Sequence, residues 1–266
     1  MQELRKLRKT KKYKYIWAGF INFSEMISKQ EQKYVQTLHL KKYRKEYGVF
    51  LVEGEKAIIE ILQSNFEIEK VFCTKKYEEV FKKINPGVRY IVDNEENITK
   101  ISTFTTNTVG VAILKQKKIS LDLNLEPKVL ILDGIADPGN LGTIIRLADW
   151  YGLKNIICSL DCAEFYNPKV IASTMGSFMR INVHYLALDD FLKNYKKPIL
   201  GAYLNGESVH SFQKLEEFAL IIGSESHGIS DKVGKLITNK ITIPKRGHAE
   251  SLNAGVACGI ILDRIF

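Results

Sequence analysis

Cysteine is scarce in this chain of 266 residues: Cys73, Cys158, Cys162 and Cys258 are all there is. So few and so scattered, they exclude a disulfide framework and point to a reducing compartment, so a cytoplasmic location is expected. Cys158 and Cys162 stand four apart, but no second Cys/His pair sits at zinc spacing. Structural thiols are the plainer reading, and no metal is expected. No apolar run reaches the roughly 18 residues of a membrane-spanning helix, so no membrane partner is expected. Internal repeats and low-complexity tracts are lacking too. Acidic residues fall short of basic ones, 30 against 39, which leaves a net charge of +9. That surplus favours a polyanionic partner, nucleic acid ahead of an anionic membrane surface. A merely solvated basic surface has the same composition. The 45% hydrophobic content suffices for a sizeable core in one or two domains.

Residues 1–14 are dense in Lys and Arg, and Tyr15 to Phe23 is apolar. The pattern imitates a signal peptide, but the apolar run is short and no small-residue cleavage site follows. Met26 opens a segment that reads as a natural start. Residues 1–26 are therefore expected to be a basic extension outside the fold, with residues 1–25 an upstream stretch that the cell need not translate. An intact mass beginning before Met26 would sink that last expectation.

Residues 31–47 read as one basic helical stretch, with Lys33, Lys41, Lys42, Arg44 and Lys45 interleaved with Tyr34 and Tyr43. Cations steer a phosphate backbone and aromatics stack on bases; a solvated helix face fits equally well. From Val49 short strands alternate with helices. The strands are expected at Val49–Val52, Ile68–Cys73, Arg89–Val92 and Thr108–Leu114, and the helices at Gly54–Gln63 and Tyr77–Ile84. Residues 27–115 thus make a small α/β domain. Residues 116–128 lack either period, carry lysines and read as a linker. From Val129 alternation resumes, with apolar, β-branched runs at 129–132, 155–158, 181–183, 199–203, 219–222 and 240–243. Strands alternating with helices predict a parallel sheet covered on both faces, over residues 129–266.

Three polar loops follow strands in this second domain. In the first, Asp137-Pro138-Gly139-Asn140 suits a type II turn, and a helix is expected from about Asn140 to Gly152 with Arg146 two turns in. A helix N-terminus flanked by Asn and Arg suits a phosphate or ribose. Asn140 as an ordinary cap and Arg146 as a surface ion pair are the bland alternatives. Asp137 occupies the place of the first glycine of a dinucleotide fingerprint, and no Walker A sequence follows. In the second, Gly223 leads into Glu225, and Ser230 is placed to cap a short helix. Ser224 stands where a nucleophile elbow requires glycine, and His227 reads as a loop histidine. In the third, Glu250, Ser251 and Asn253 crowd the loop between a strand ending at Pro244 and a Gly/Ala-rich helix. Here Ser251 could simply cap the helix. Loops at the carboxyl ends of parallel strands converge on one edge, where ligands bind, so the three loops are expected to form one site.

DPGNLGTIIRLADWYG (137–152), IIGSESHGIS (221–230) and IPKRGHAESLNAGVACGI (243–260) together resemble the three motifs of the SpoU (TrmH-type) RNA ribose 2′-O-methyltransferases of the SPOUT superfamily. Asn167-Pro168-Lys169 with Ser173-Thr174-Met175-Gly176 resembles a further family segment. Phe50–Gly54 and Val109–Ala112 resemble the accessory substrate-binding domain often found upstream. The resemblance runs from about residue 27 to the end. It implies an α/β fold with a parallel sheet and a C-terminal trefoil knot, preceded by a small α/β RNA-binding domain. It also implies a homodimer, S-adenosyl-L-methionine as cofactor and RNA as substrate, ribosomal RNA ahead of tRNA. Carried over by position, Asn140, Arg146, Glu225, Ser251 and Asn253 match the family's functional residues. Gly223, Ile243 and Leu252 match positions whose backbone meets the cofactor. Ala254-Gly255 and Ser226-His227 depart from the commoner pattern. A catalytically silent RNA-binding or ribosome-assembly factor on the same fold is the alternative; it would be expected to lack some of the five functional residues, and all are present.

Overall fold

The computed structural model describes residues 26–117, 119 and 127–266. The expectations for residues 1–25, and most of the expected linker, lie outside the described residues.

The N-terminal unit begins with α1 (Lys29–Thr37), closed by a capping box between Ser28 and Glu31. The stretch expected as one helix is two. Chain direction changes at Leu38–Leu40, and α2 (Lys41–Tyr47) starts afresh. The reason is Arg44. Its Nη1 donates to the carbonyls of Leu38 and His39 just past the end of α1, each at 2.8 Å, so the acceptors that a further turn would use are taken by a guanidinium. Arg44 is 1% exposed, which corrects its expected place among the solvated cations.

Four strands follow: β1 (Val49–Glu53), β2 (Ile68–Thr74), β3 (Tyr90–Asp93) and β4 (Gly110–Lys115). They form a mixed sheet in the order β1-β4-β2-β3. Alternation along the strands sends Val49 and Leu51 to one face and Phe50 and Val52 to the other. The first face carries α1 and α5 (Glu95–Ile101); the second carries α3 (Glu55–Leu62) and α4 (Lys75–Ile84).

The second unit is a six-stranded parallel sheet in the order β10-β8-β9-β5-β6-β7. Its strands are β5 (Lys128–Asp133), β6 (Asn155–Cys158), β7 (Asn182–Tyr185), β8 (Ile199–Ser208), β9 (Phe218–Gly223) and β10 (Asn239–Thr242). Leu130 and Leu132 face α6 (Pro138–Trp150) and α10 (Ala254–Ile265). Val129 and Ile131 face α8 (Leu188–Lys193) and α9 (Asp231–Gly234). Both faces are covered, as near-continuous apolar strands require. Strand β8 runs on to Ser208 because it pairs with β10 a second time, after a register jump between Lys240 and Ile241.

Helix α6 packs on α7 (Pro168–Ser173) so closely that a Cβ on Gly142 would lie 2.4 Å from Ser173 Cβ. The two units share one hydrophobic cluster: the Phe50 ring is 4.6 Å from Tyr166 and 5.9 Å from Phe178. Beside it Arg44 spans the junction, its Nε donating to Glu164 at 3.3 Å and its Nη2 pairing with the same carboxylate.

Candidate active site

The loops after β5, β9 and β10 meet at the carboxyl edge of the parallel sheet. The first does not make a type II turn. Gly139 keeps a negative φ, and Pro138 is the first residue of α6, where its missing N–H costs nothing and its fixed φ is already helical. Asp137 is the cap, accepting from Asn140 N at 2.8 Å, so the Asn140 side chain is released for other bonds. Gly152, at φ 73°, stands just past the helix end, as expected.

The second loop reverses tightly. Ser224 and Gly228 exchange backbone bonds of 3.0 and 2.9 Å, and Glu225, Ser226 and His227 project from the turn. Gly223 makes the reversal possible, because a Cβ there would sit 2.2 Å from the carbonyl carbon of Gly228. The buried Asp133 carboxylate anchors the loop's far end by accepting from Ser230 N at 2.8 Å. Ser230 precedes α9, but its hydroxyl makes no capping bond. The Ser226 hydroxyl and His227 Nδ1 lie 2.7 Å apart.

In the third loop Asn253, not Ser251, caps the last helix: its Oδ1 accepts from Gly255 N at 3.0 Å and Val256 N at 3.2 Å. The other end of the same amide ties the three loops together. Asn253 Nδ2 donates to Asn140 Oδ1 at 2.7 Å and to Glu225 Oε1 at 2.8 Å. Glu225 Oε1 also accepts from Asn140 Nδ2 at 3.1 Å and Ala254 N at 3.1 Å. One carboxylate oxygen thus collects three donors at the N-terminus of α10, where the helix dipole favours negative charge. Asn140, Glu225 and Asn253 form a single cluster. Ser251 is exposed and joins no side-chain bond in it. Arg146 is exposed on α6 and has no bonding partner among the described residues.

Beside the cluster lies a cleft of about 680 Å³, within the usual range for small-molecule sites. Gly223, Glu225, Ile243, Ser251 and Leu252 line it, with an apolar floor of Ile222, Ala257 and Ile261. The outer wall is Tyr203, Leu204 and Asn205 of β8, which no motif flagged; only the register jump of β8 against β10 brings them there. Asp137 and Asp133 also support the site, one as the cap of α6 and one as the anchor of the second loop. Their position at the end of a strand and before Pro was the available signal.

The fold and the cleft define a ligand-binding α/β domain with the site at the carboxyl ends of its strands, joined to a mixed-sheet unit. The chain belongs to the SpoU rRNA Methylase family, whose model matches residues 127–263. An MRM3-like substrate binding domain matches residues 29–112. The chain is 30% identical over 244 residues to the 23S rRNA (guanosine(2553)-2′-O)-methyltransferase RlmP of Bacillus subtilis (strain 168), covering 90% of this chain and 96% of that one. A TrmH-family protein of Porphyromonas gingivalis superposes with a TM-score of 0.78 at 30% identity, covering 90% of this chain and 98% of that one. The AdoMet-bound rRNA methyltransferase of Sinorhizobium meliloti superposes with a TM-score of 0.80 at 26% identity, covering 91% and 96%.

Proposed function

We propose that the chain transfers a methyl group from S-adenosylmethionine to a ribose 2′-oxygen of RNA, with ribosomal RNA ahead of tRNA. The observation that carries this reading is the Asn140–Glu225–Asn253 cluster, which joins all three motif loops beside the cleft. The cleft fits the cofactor. Its floor of Ile222, Ile243, Ala257 and Ile261 suits an aromatic base, and the backbone of Gly223 and Leu252 offers polar edges at its wall. The sulfonium supplies an activated methyl and its own leaving group, so the residues need only hold the acceptor hydroxyl in line while its proton passes to water. Holding two reactants in line is worth up to about 7–11 kcal/mol of barrier. Glu225 and Asn253 fix the loops; Asn140 is placed to orient the ribose.

Arg146 belongs to this site in our reading as a clamp on the nucleotide phosphate, because a guanidinium gives up its proton poorly. If it is instead the base, Arg146→Lys should restore some turnover with a changed pH profile. As a clamp, the variant should bind RNA more weakly and regain nothing at any pH. Ser251 lies where it can meet the cofactor's polar end.

Further parts of the reading rest on the resemblance. Residues 27–115 form an RNA-binding domain, 116–128 a linker and 129–266 the methyltransferase domain, with 1–26 a basic extension. The C-terminal segment is knotted. In support, the chain leaves edge strand β10, passes along the cleft and returns as α10 to pack on α6 and β9. The active form is a homodimer, supported by Trp150 and Val256, which leave apolar surface exposed on α6 and α10. The compartment is the cytoplasm. The test of the central reading is transfer of tritium from labelled S-adenosylmethionine to unmodified total rRNA and tRNA, with Asn140→Ala as control. Alkali-resistant label at one rRNA position, lost in the variant, is expected. Cofactor binding without transfer to any RNA, ribosomal precursors included, would favour the silent RNA-binding factor.

A further inference from the structure

The tyrosines of α1 and α2 make a ladder that the cleft does not use. Tyr43 and Tyr47 stand one turn apart with stacked rings, centroids 6.1 Å apart and planes at 22°. Tyr34 of α1 meets Tyr47 at 5.6 Å. Tyr34 packs on the core of the sheet and donates to Glu69, but Tyr43 and Tyr47 do not build the core. The only buried residue of α2 is Arg44, and Tyr47 remains 46% exposed. Lys42 Nζ lies 5.5 Å over the Tyr43 ring, and Lys70 Nζ, itself paired with Glu31 and Glu69, lies 6.0 Å over Tyr34. Lys33, Lys41, Lys42 and Lys45 are exposed, and among the described residues none has an acidic partner.

We propose that the outer surface of α1 and α2 is a platform for single-stranded RNA, with bases stacking on Tyr47 and Tyr43 and the four lysines taking phosphates. Exposed aromatics interleaved with unneutralised cations are the chemistry that grips an unpaired strand. A duplex hides its base faces and offers aromatics little. Protein interfaces also use tyrosine but are depleted in lysine, which makes a polypeptide the poorer occupant. The platform begins by the sheet face that carries α1 and α5 and ends at the junction, where Arg44 of α2 reaches Glu164 of the second unit. None of its residues lines the cleft. It therefore grips an RNA segment flanking the nucleotide that enters the cleft. The inference rests on the reading of the chain as an RNA enzyme, and adds where and in what form the RNA is held.

The test is fluorescence anisotropy of the whole protein with labelled ten-nucleotide oligo(U) and oligo(A), and with a duplex RNA of equal length. Wild type should bind the single strands more tightly than the duplex. Tyr47→Ala and Tyr47→Leu should each weaken single-strand binding by about fivefold or more, the scale of one lost base stack. Tyr47→Phe should retain it, since the ring survives. Lys42→Ala and Lys45→Ala should each flatten the salt slope by roughly 0.7, one phosphate contact on a single strand. S-adenosylmethionine affinity should stay at the wild-type value in every variant, which also reports intact folding. The proposal is overturned if wild type fails to bind the oligomers, if it prefers the duplex, or if Tyr47→Leu binds like wild type. A wild-type protein that binds the oligomers yet transfers no methyl group sinks the transferase reading and leaves this surface standing.

Discussion

At the scale of single residues, the site depends on one amide doing two jobs. Asn253 caps α10 with its oxygen and ties Asn140 to Glu225 with its nitrogen. Asn253→Ala should cost about 1 kcal/mol of stability through the lost cap and, separately, abolish detectable methyl transfer. Thermal unfolding and the tritium assay read the two effects, and full transfer in a destabilised variant would show that the amide only caps. Asp149 offers a pH test. Burial pushes its carboxyl upward, but bonds from Arg180 and from Ser177 (Oγ to Oδ2, 2.7 Å) outweigh burial, and the net pKa lies below its ordinary 3.8. A depressed carboxylate pKa contributes stability that is complete above the unfolded value and lost as pH falls through the folded one. Between about pH 5 and pH 2 the unfolding temperature of wild type should therefore fall more steeply than that of Asp149→Asn. Parallel curves would contradict the assignment.

At the scale of elements, two glycines set distances that nothing larger tolerates. Gly223→Ala drives a Cβ into backbone, 2.2 Å from the Gly228 carbonyl carbon, so the turn carrying Glu225 must shift. S-adenosylmethionine affinity, measured by calorimetry, should fall by at least about tenfold, a change of roughly 1.4 kcal/mol. Unchanged affinity would mean that the loop position does not matter to the cleft. Gly142→Ala meets Ser173 Cβ at 2.4 Å and the Val170 carbonyl oxygen at 2.8 Å. Prising α6 from α7 should destabilise by about 1–3 kcal/mol, as overpacking does, visible as a lower denaturant midpoint.

At the scale of the whole molecule, the two sheets should unfold together. Phe50 and Phe66 of the N-terminal unit pack on Phe178 of the second, and Arg44, 1% exposed, finds its carboxylate across the junction. A shared core predicts one calorimetric transition; two separate ones would show that the junction is only a contact. Glu164→Ala leaves a buried guanidinium without its counter-charge, and breaking such a pair typically costs about 3–5 kcal/mol. Replacing both partners by apolar residues of similar size should cost much less, because the desolvation penalty disappears with the charge.

Ten strands, the parallel character of the second sheet and the buried face of α6 are legible in the chain alone. Each is written in a local period: β-branched runs at Val129–Leu132 or Ala219–Ile222, and Leu141, Ile144, Ile145 and Ala148 at helical spacing. Helix α5 escaped notice because its seven residues bury only Ile98 and Ile101, too few for a period to show. The first polar loop carries the signal of a turn, since Pro-Gly serves a turn and a helix start alike until the Asp137 cap is seen. Who meets whom is not legible in the chain alone. Asn140 bonds Glu225 across 85 residues and Asn253 across 113, while Arg44 reaches Glu164 across 120. No local pattern encodes such pairs. They follow from strand order and from which face each helix buries, and these are properties of the assembled core.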